Sequence, residues 1–238
     1  MPLKAQLHVH SKSDKRDYIS SSEKQIIDKA HSLGYEVLAF TCHDSVIFSD
    51  ELKKYAEEKG ILLIPGIEKE IEKCHVVILN ANKKAENIHT FKDLKKYKKN
   101  HPKSLICAPH MYYPRHFFIK TFPKIIKHLE LFDAIEYSYF YTKFYNPYNE
   151  KAQLIAKKYN IPMIGTSDNH IIKYFDKTYS LINAKKNWES IANAIKKGHI
   201  EIETKPMKSI EIIHALLYMI FITTGGNLLR NLLRIVKI

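Results

Sequence analysis

The sequence predicts an α/β fold, a seven-stranded β/α barrel of the TIM-like kind with a C-terminal hydrophobic helical tail. Three observations predict it. Short β-branched or aromatic runs alternate with helical patterns through the first 206 residues. About seven such runs occur, which suits a closed barrel of crossover-linked parallel strands better than a small open sheet. The 238 residues also fall within the roughly 200–250 that such barrels occupy as one domain.

The predicted strands cover 3–8, 37–41, 61–67, 75–79, 105–108, 134–137 and 162–165. Between the first two, Ser20-Ser21-Ser22-Glu23 reads as a capping-box start. Ile26, Ile27, Ala30 and Leu33 then form one helical stripe that Gly34 ends. A second helix is expected over 49–59, with Leu52, Tyr55 and Ala56 inward and Gly60 as its stop. Further helices are expected over 91–100, 122–131, 149–159 and 187–197. The stretch 68–74 is irregular. With no Gly/Ser linker before about residue 205, residues 1–206 read as one barrel domain and 207–238 as a tail.

The tail changes character. Residues 210–222 are almost wholly apolar, Gly225-Gly226 interrupts, and 227–238 read as a basic amphipathic helix. The first run is shorter than the ~20 residues a spanning helix needs. A helix pair that caps the barrel or mediates dimerisation is expected, with peripheral membrane contact as the sharper alternative.

Composition narrows the class. With 45% hydrophobic and 26% charged residues the chain can bury a core, which excludes wholesale disorder. Cys42, Cys74 and Cys107 lie far apart in apolar surroundings, which excludes a disulfide scaffold and suits a reducing interior. The opening Met-Pro-Leu-Lys-Ala-Gln-Leu-His lacks the apolar run of a signal peptide. A cytoplasmic protein is expected, membrane-associated only through its tail. The formal charge of +13 is almost all lysine, with only Arg16, Arg115, Arg230 and Arg234 as arginines. Nucleic-acid grooves favour the arginine fork, so the charge points more to small anionic substrates than to a long polyanion.

The chemistry lies at the strand ends. His8 and His10 follow the first strand, His43 and Asp44 the second, and Glu68 the third. His75 opens the next strand, His110 follows the fifth, Glu136 lies on the sixth, and Asp168 with His170 follow the seventh. In a parallel barrel the C-terminal strand ends converge on one face, where active sites form. Any one of these histidines is more often structural, but so many polar groups arriving at one end are not explained by packing. His-x-His and Asp-x-His each place two donors on one face of an extended strand. Glu68 can use both oxygens to bridge. The set suffices for two or three divalent ions of the borderline kind, zinc, manganese or iron.

His8-Val9-His10-Ser11, Thr41-Cys42-His43-Asp44, Pro65-Gly66-Ile67-Glu68, Pro109-His110 and Ser167-Asp168-Asn169-His170 together resemble the motifs of the PHP (polymerase and histidinol phosphatase) superfamily. The resemblance covers roughly residues 3–200. It implies a distorted seven-stranded barrel that holds two or three metal ions for phosphoester hydrolysis. By that resemblance His8, His10, Glu68 and Asp168 hold one metal. Glu68 bridges to a second, completed by His75 and His110, and His43 with His170 serve a third. The loop after His-x-His departs from the family's Ser-Asp-Gly pattern, leaving Asp14 or Asp17 as the further ligand. Glu136 and Asp44 are expected to support ligands rather than bind metal.

The expected reaction is phosphoester hydrolysis by a metal-bound hydroxide. His43, His170 and Asp168 form the expected catalytic set, with His43 or His170 donating a proton to the leaving group if no third metal binds. Arg115, the scarce arginine best placed to grip a second phosphate, and His116 beside it are expected to bind substrate; an exposed loop is the alternative. Tyr137, Tyr139, Tyr141 and Tyr145, with Phe140 and Phe144, could stack on a nucleobase or serve as lid packing or a partner surface. The substrate is expected to be a phosphorylated small molecule or a nucleotide. The alternatives are a nuclease acting on single-stranded DNA or RNA, and a non-catalytic RNA-binding subunit on the same barrel.

Overall fold

The computed structural model describes residues 1–113 and 122–220. Its strands are β1 (Leu3–Val9), β2 (Val37–Phe40), β3 (Leu62–Ile71), β4 (Cys74–Leu79), β5 (Leu105–Ala108), β6 (Ala134–Ser138), β7 (Met163–Thr166), β8 (Thr178–Ile182) and β9 (Ile200–Thr204). The helices are α1 (Glu23–Ser32), α2 (Asp50–Glu58), α3 (Phe91–Asn100), α4 (Phe122–Lys127), α5 (Pro147–Tyr159), α6 (Trp188–Lys196) and α7 (Ser209–Ile220). The expected helix over 122–131 ends early, and a 3-10 turn at Leu129–Leu131 finishes it.

The sheet is nine-stranded, in the order β7-β6-β5-β4-β3-β2-β1-β8-β9, rather than seven-stranded. Nor are all strands parallel. β1, β2 and β3 run parallel, as do β5, β6 and β7, but β4 is antiparallel to both its neighbours. The irregular stretch 68–74 is a hairpin, with Glu72 (φ 50°) and Lys73 (φ 74°) both left-handed at its tip. A two-residue turn that twists with its strands needs positive φ at both positions. Of the two further strands, β8 pairs antiparallel to β1 and β9 antiparallel to β8.

These additions nearly close the sheet. A Cβ on Gly165 of β7 would lie 2.6 Å from the Tyr179 carbonyl oxygen of β8, so only glycine permits that approach. The Ser180 hydroxyl donates to the Gly165 carbonyl at 3.0 Å and accepts from its N–H at 3.0 Å. Buried Gln6 of β1 accepts from Ser167 N–H at 2.9 Å and donates to the Phe175 and Thr178 carbonyls, both at 3.0 Å.

Strand alternation splits the core. Ala5, Val37, Ala39, Val77, Leu105, Ala134 and Ile164 pack with Ile191 and Ile195 of α6. On the other face Leu38, Phe40 and Leu63 pack against Ile26 and Ile27 of α1 and Ala56 of α2. The α1 stripe is as expected, while its capping box is Ser22 with Gln25.

Candidate metal centre

Backbone pairing brings the donors together. Between Gln6 and Val9, β1 spends one residue more than β2 does between Leu38 and Phe40. Such a bulge re-aims side chains at a strand end, and His8 and His10 sit there. Asn169 pairs with this same segment, His10 N–H donating to the Asn169 carbonyl at 3.2 Å and Asn169 N–H to the His8 carbonyl at 3.3 Å. Asp168-x-His170 is thereby laid beside His8-x-His10. Beyond β2, His43 bridges to Glu68. Because β4 runs against β3, the beginning of β4 lies at the same end as the C-terminus of β3, which puts His75 into the cluster. His110 follows β5.

The resulting separations are short. His8 Nε2 and His10 Nε2 are 3.1 Å apart. Glu68 Oε2 is 3.4 Å from the first and 3.3 Å from the second, and Asp168 Oδ1 is 3.3 Å and 3.2 Å from them. Donors 2.0–2.1 Å from one tetrahedral ion stand about 3.3–3.4 Å apart. Glu68 Oε2 also lies 3.1 Å from His43 Nε2, while its Oε1 lies 2.8 Å from His75 Nδ1 and 3.2 Å from His110 Nε2. Three groups of donors could each hold an ion: His8, His10, Glu68 and Asp168; His10, Asp14 and His43; and His43, Glu68 and His75.

Carboxylates behind the imidazoles set their orientation. Glu136 Oε2 lies 2.8 Å from His8 Nδ1. Asp14 Oδ2 lies 2.8 Å from His10 Nδ1 and 3.0 Å from His43 Nδ1, and also accepts from His43 N–H at 2.8 Å. Its other oxygen accepts from Arg16 N–H at 2.8 Å and Asp17 N–H at 2.9 Å. Asp14 is therefore engaged on both oxygens, and Asp17 Oδ2 takes His170 Nε2 at 3.0 Å. A carboxylate that holds the Nδ1 proton leaves the Nε2 lone pair facing the cluster. Lone pairs of His8 and His10 aimed at each other and at two carboxylates are unfavourable unless a cation stands between them.

The electrostatics say the same. Burial opposes charge on His8, yet Asp168, Glu136 and Glu68 raise it to about 10. His43, equally opposed by burial, is raised to about 9 by Glu68 and Asp14. Against their own burial, Glu68 and Asp168 are held well below the carboxylate range by the surrounding imidazoles. Without metal, protons play the cation's part. His75 differs: burial lowers it to about 4, and neither ring nitrogen has a hydrogen bond of good geometry. Asp168 Oδ1 is likewise buried without a hydrogen bond. Neutral imidazole and orphaned carboxylate oxygen are what an incoming divalent ion requires, so the residues present fit the implied metals. The backbone is strained where the donors turn inward, with His110 at φ 29°, Asp168 at φ 41° and Asp44 at φ 55°.

Every expected donor among the described residues thus reaches one cluster. His43 stands with Glu68, His75 and Asp14, whereas His170 joins Asp17 and lies tilted beside His10 at 4.2 Å between ring centroids. Arg115 and His116 lie outside the described residues, as does the expected helix over 227–238. Tyr137, Tyr139 and Tyr141 are buried in packing, leaving Phe144 and Tyr145 exposed. Sequence reasoning passed over Arg16. Its guanidinium donates to Asp44 Oδ2 at 2.6 Å and Glu70 Oε2 at 2.5 Å, and Lys69 donates to Asp44 Oδ1 at 2.6 Å. Both Asp44 oxygens are thus taken up by cations of the loop and of β3; only the scarcity of arginine marks Arg16 in the sequence.

Comparison with known proteins fits this geometry. Residues 146–200 match the PHP-associated family model. A two-domain protein from Bacteroides vulgatus containing a predicted PHP-like metal-dependent phosphoesterase is similar in structure, at 17% identity over 90% of this chain and 68% of that one, with a TM-score of 0.64. PsfC from Pseudomonas syringae is similar over 92% of this chain and 97% of its own, at 12% identity and TM-score 0.62. The lesion-specific endonuclease Q of Pyrococcus furiosus is similar at 16% identity and TM-score 0.57, over 85% of this chain, which spans 58% of the endonuclease. No curated protein matches the chain. The fold is that of PHP-like metal-dependent phosphoesterases. Together with the PHP-associated segment, it supports the PHP-superfamily resemblance carried by the motifs.

Proposed function

We propose that the chain is a metal-dependent hydrolase of a phosphoester, acting on a phosphorylated small molecule or nucleotide. The observation that carries this reading is the convergence of His8, His10, Glu68 and Asp168, with His43, His75 and His110 around the same Glu68 carboxylate. His8, His10, Glu68 and Asp168 would hold one divalent ion, and Glu68 with His75 and His110 a second. Zinc, manganese and iron all suit this mixture of imidazole and carboxylate. Such ions supply Lewis-acid stabilisation of phosphate charge and a water acidic enough to ionise near neutral pH.

The chain's own groups do the rest. Glu136 and Asp14 hold His8, His10 and His43 in the tautomer that presents Nε2 to the cluster. Where no third ion takes its ring nitrogen, His170 beside Asp17, or His43 in its doubly protonated form beside Asp14, would give a proton to a leaving oxygen. Burial of the cluster keeps bulk water from screening these charges.

The nuclease reading has one specific support, since the structurally similar endonuclease Q is known in complex with a 27-mer duplex substrate carrying an abasic lesion. One screen separates the two. Metal-reconstituted protein is offered phosphorylated metabolites, chromogenic mono- and diesters, and oligonucleotides. The proposal expects turnover of a small phosphoester that depends on added metal. Cleavage confined to oligonucleotides would transfer the assignment to a nuclease, and no turnover of any phosphoester would sink both.

A further inference from the structure

The side of α7 that faces water is mostly apolar, with Ser209 and His214 its exposed polar groups. Its sequence holds one charged residue, Glu211, which is paired with Lys177 at 2.7 Å. Ala215 is buried with Tyr139, Tyr174 and Met207, while Ile210, Ile213, Leu217 and Ile220 are 52–68% exposed. A helix side carrying this much exposed aliphatic surface is normally covered. No helix among the described residues is long and apolar enough to cross a membrane.

The position of α7 says what covers it. Its docking partners are the loop after β7, through Tyr174 whose hydroxyl meets His214 Nδ1 at 2.9 Å, and the loop after β1, through Tyr218, whose hydroxyl donates to the Tyr18 carbonyl at 3.4 Å. Both loops leave the end of the barrel that holds the metal donors. The loop after β6 leaves the same end, and its tip exposes Phe144 (92%) and Tyr145 (62%). Lysines accompany these apolar groups: Lys143 on that tip, Lys173 beside Tyr174, and Lys205 and Lys208 leading into α7, all exposed. The acids around it are already paired, Glu211 with Lys177, Asp176 with Lys4 and Asp17 with His170. Residues 221–238 add Arg230, Arg234 and Lys237 and no acid.

We propose that the donor-bearing end of the barrel docks on an anionic lipid surface, inserting the outer side of α7 and the Phe144 tip among the headgroups. Apolar side chains ringed by unneutralised lysine match the boundary between acyl chain and anionic headgroup. A second copy is the poorer partner, because a two-fold contact would set the same lysines against each other. The inference goes beyond the hydrolase reading and does not rest on it, since docking is read without turnover.

The test is co-sedimentation of the full chain with vesicles of phosphatidylcholine alone or with about a third phosphatidylglycerol. Wild type is expected to bind the anionic vesicles, and binding should fall as salt is raised. I213S/L217S should weaken it by about a hundredfold and F144S alone by about tenfold, with circular dichroism unchanged because all three side chains are exposed. Equal binding by wild type and variants would overturn the proposal, as would binding to neither vesicle. A wild-type dimer made monomeric by I213S/L217S, without vesicle binding, would assign the surface to a second copy. Loss with I213S/L217S but not with F144S would remove the donor-bearing face from the contact.

Discussion

The two oxygens of Glu68 look into differently built halves of the cluster. Oε2 faces His8, His10 and His43, each held from behind by a carboxylate, Glu136 or Asp14. Oε1 faces His75 and His110, and no carboxylate stands behind His75, whose ring nitrogens make no hydrogen bond of good geometry. The first half is organised before any ion arrives; in the second, the ion itself must fix the ring. Preorganisation lowers the ordering cost of binding, so the half around His8 and His10 is expected to bind its ion first and more tightly.

The largest break in that comparison is His8→Ala with His10→Ala. Losing both imidazoles should abolish metal retention, read by elemental analysis, and cut phosphoester turnover by about 10³-fold or more, equivalent to ~4 kcal/mol. Smaller and more selective, Glu136→Ala should weaken the first ion by about 10–100-fold while leaving the second in place. Glu136→Gln should recover much of this, because an amide oxygen still accepts from Nδ1–H. Asp14→Ala should cost at least as much, since that carboxylate holds two rings. His75→Ala sharpens the contrast from the other side. It should remove about one ion per chain and leave the tighter ion's affinity within about threefold, as measured by titration of the apoprotein.

The least dramatic effect concerns pH. His8 and His43 in the metal-free fold are raised above the ordinary 6.5, to about 10 and about 9. Their protonation therefore stabilises the apoprotein fully below about pH 6.5, and that contribution is lost as pH rises through 9–10. Metal needs the imidazoles neutral and expels those protons, so its affinity rises with pH. The Tm of apoprotein should fall between pH 7 and 10 while that of metal-loaded protein holds. A gap between the two that narrowed with pH would contradict the assignment of these rings to metal.

Much of this centre was legible in the sequence because period-two spacing and strand-end position are local signals. β5 lies where its run Leu105-Ile-Cys-Ala108 places it, and the predicted donors His8, His10, His43, Glu68, His75 and Asp168 fall in the ion-sized groups, with His110 and His170 at their edge. What was not legible was long-range or lacked its usual marker. The β3–β4 hairpin turns at Glu72-Lys73, with none of the glycine or asparagine that normally signals positive φ. His75 consequently reaches the cluster from a strand that runs opposite to the parallel one the sequence predicts. β8 follows β7 with only a 3-10 turn between them, β9 pairs antiparallel although α6 precedes it, and the alternating Ile200-Glu-Ile-Glu-Thr204 is half-exposed rather than an apolar run. The double duty of Asp14 had no local cue, since it depends on His43 lying 29 residues away in the chain.

The most direct measurement is phosphoester turnover by purified full-length protein before chelation, after it, and after divalent metal is restored. Turnover should vanish with removal and return with about two equivalents of ion. Undiminished turnover by thoroughly metal-depleted protein would contradict the account.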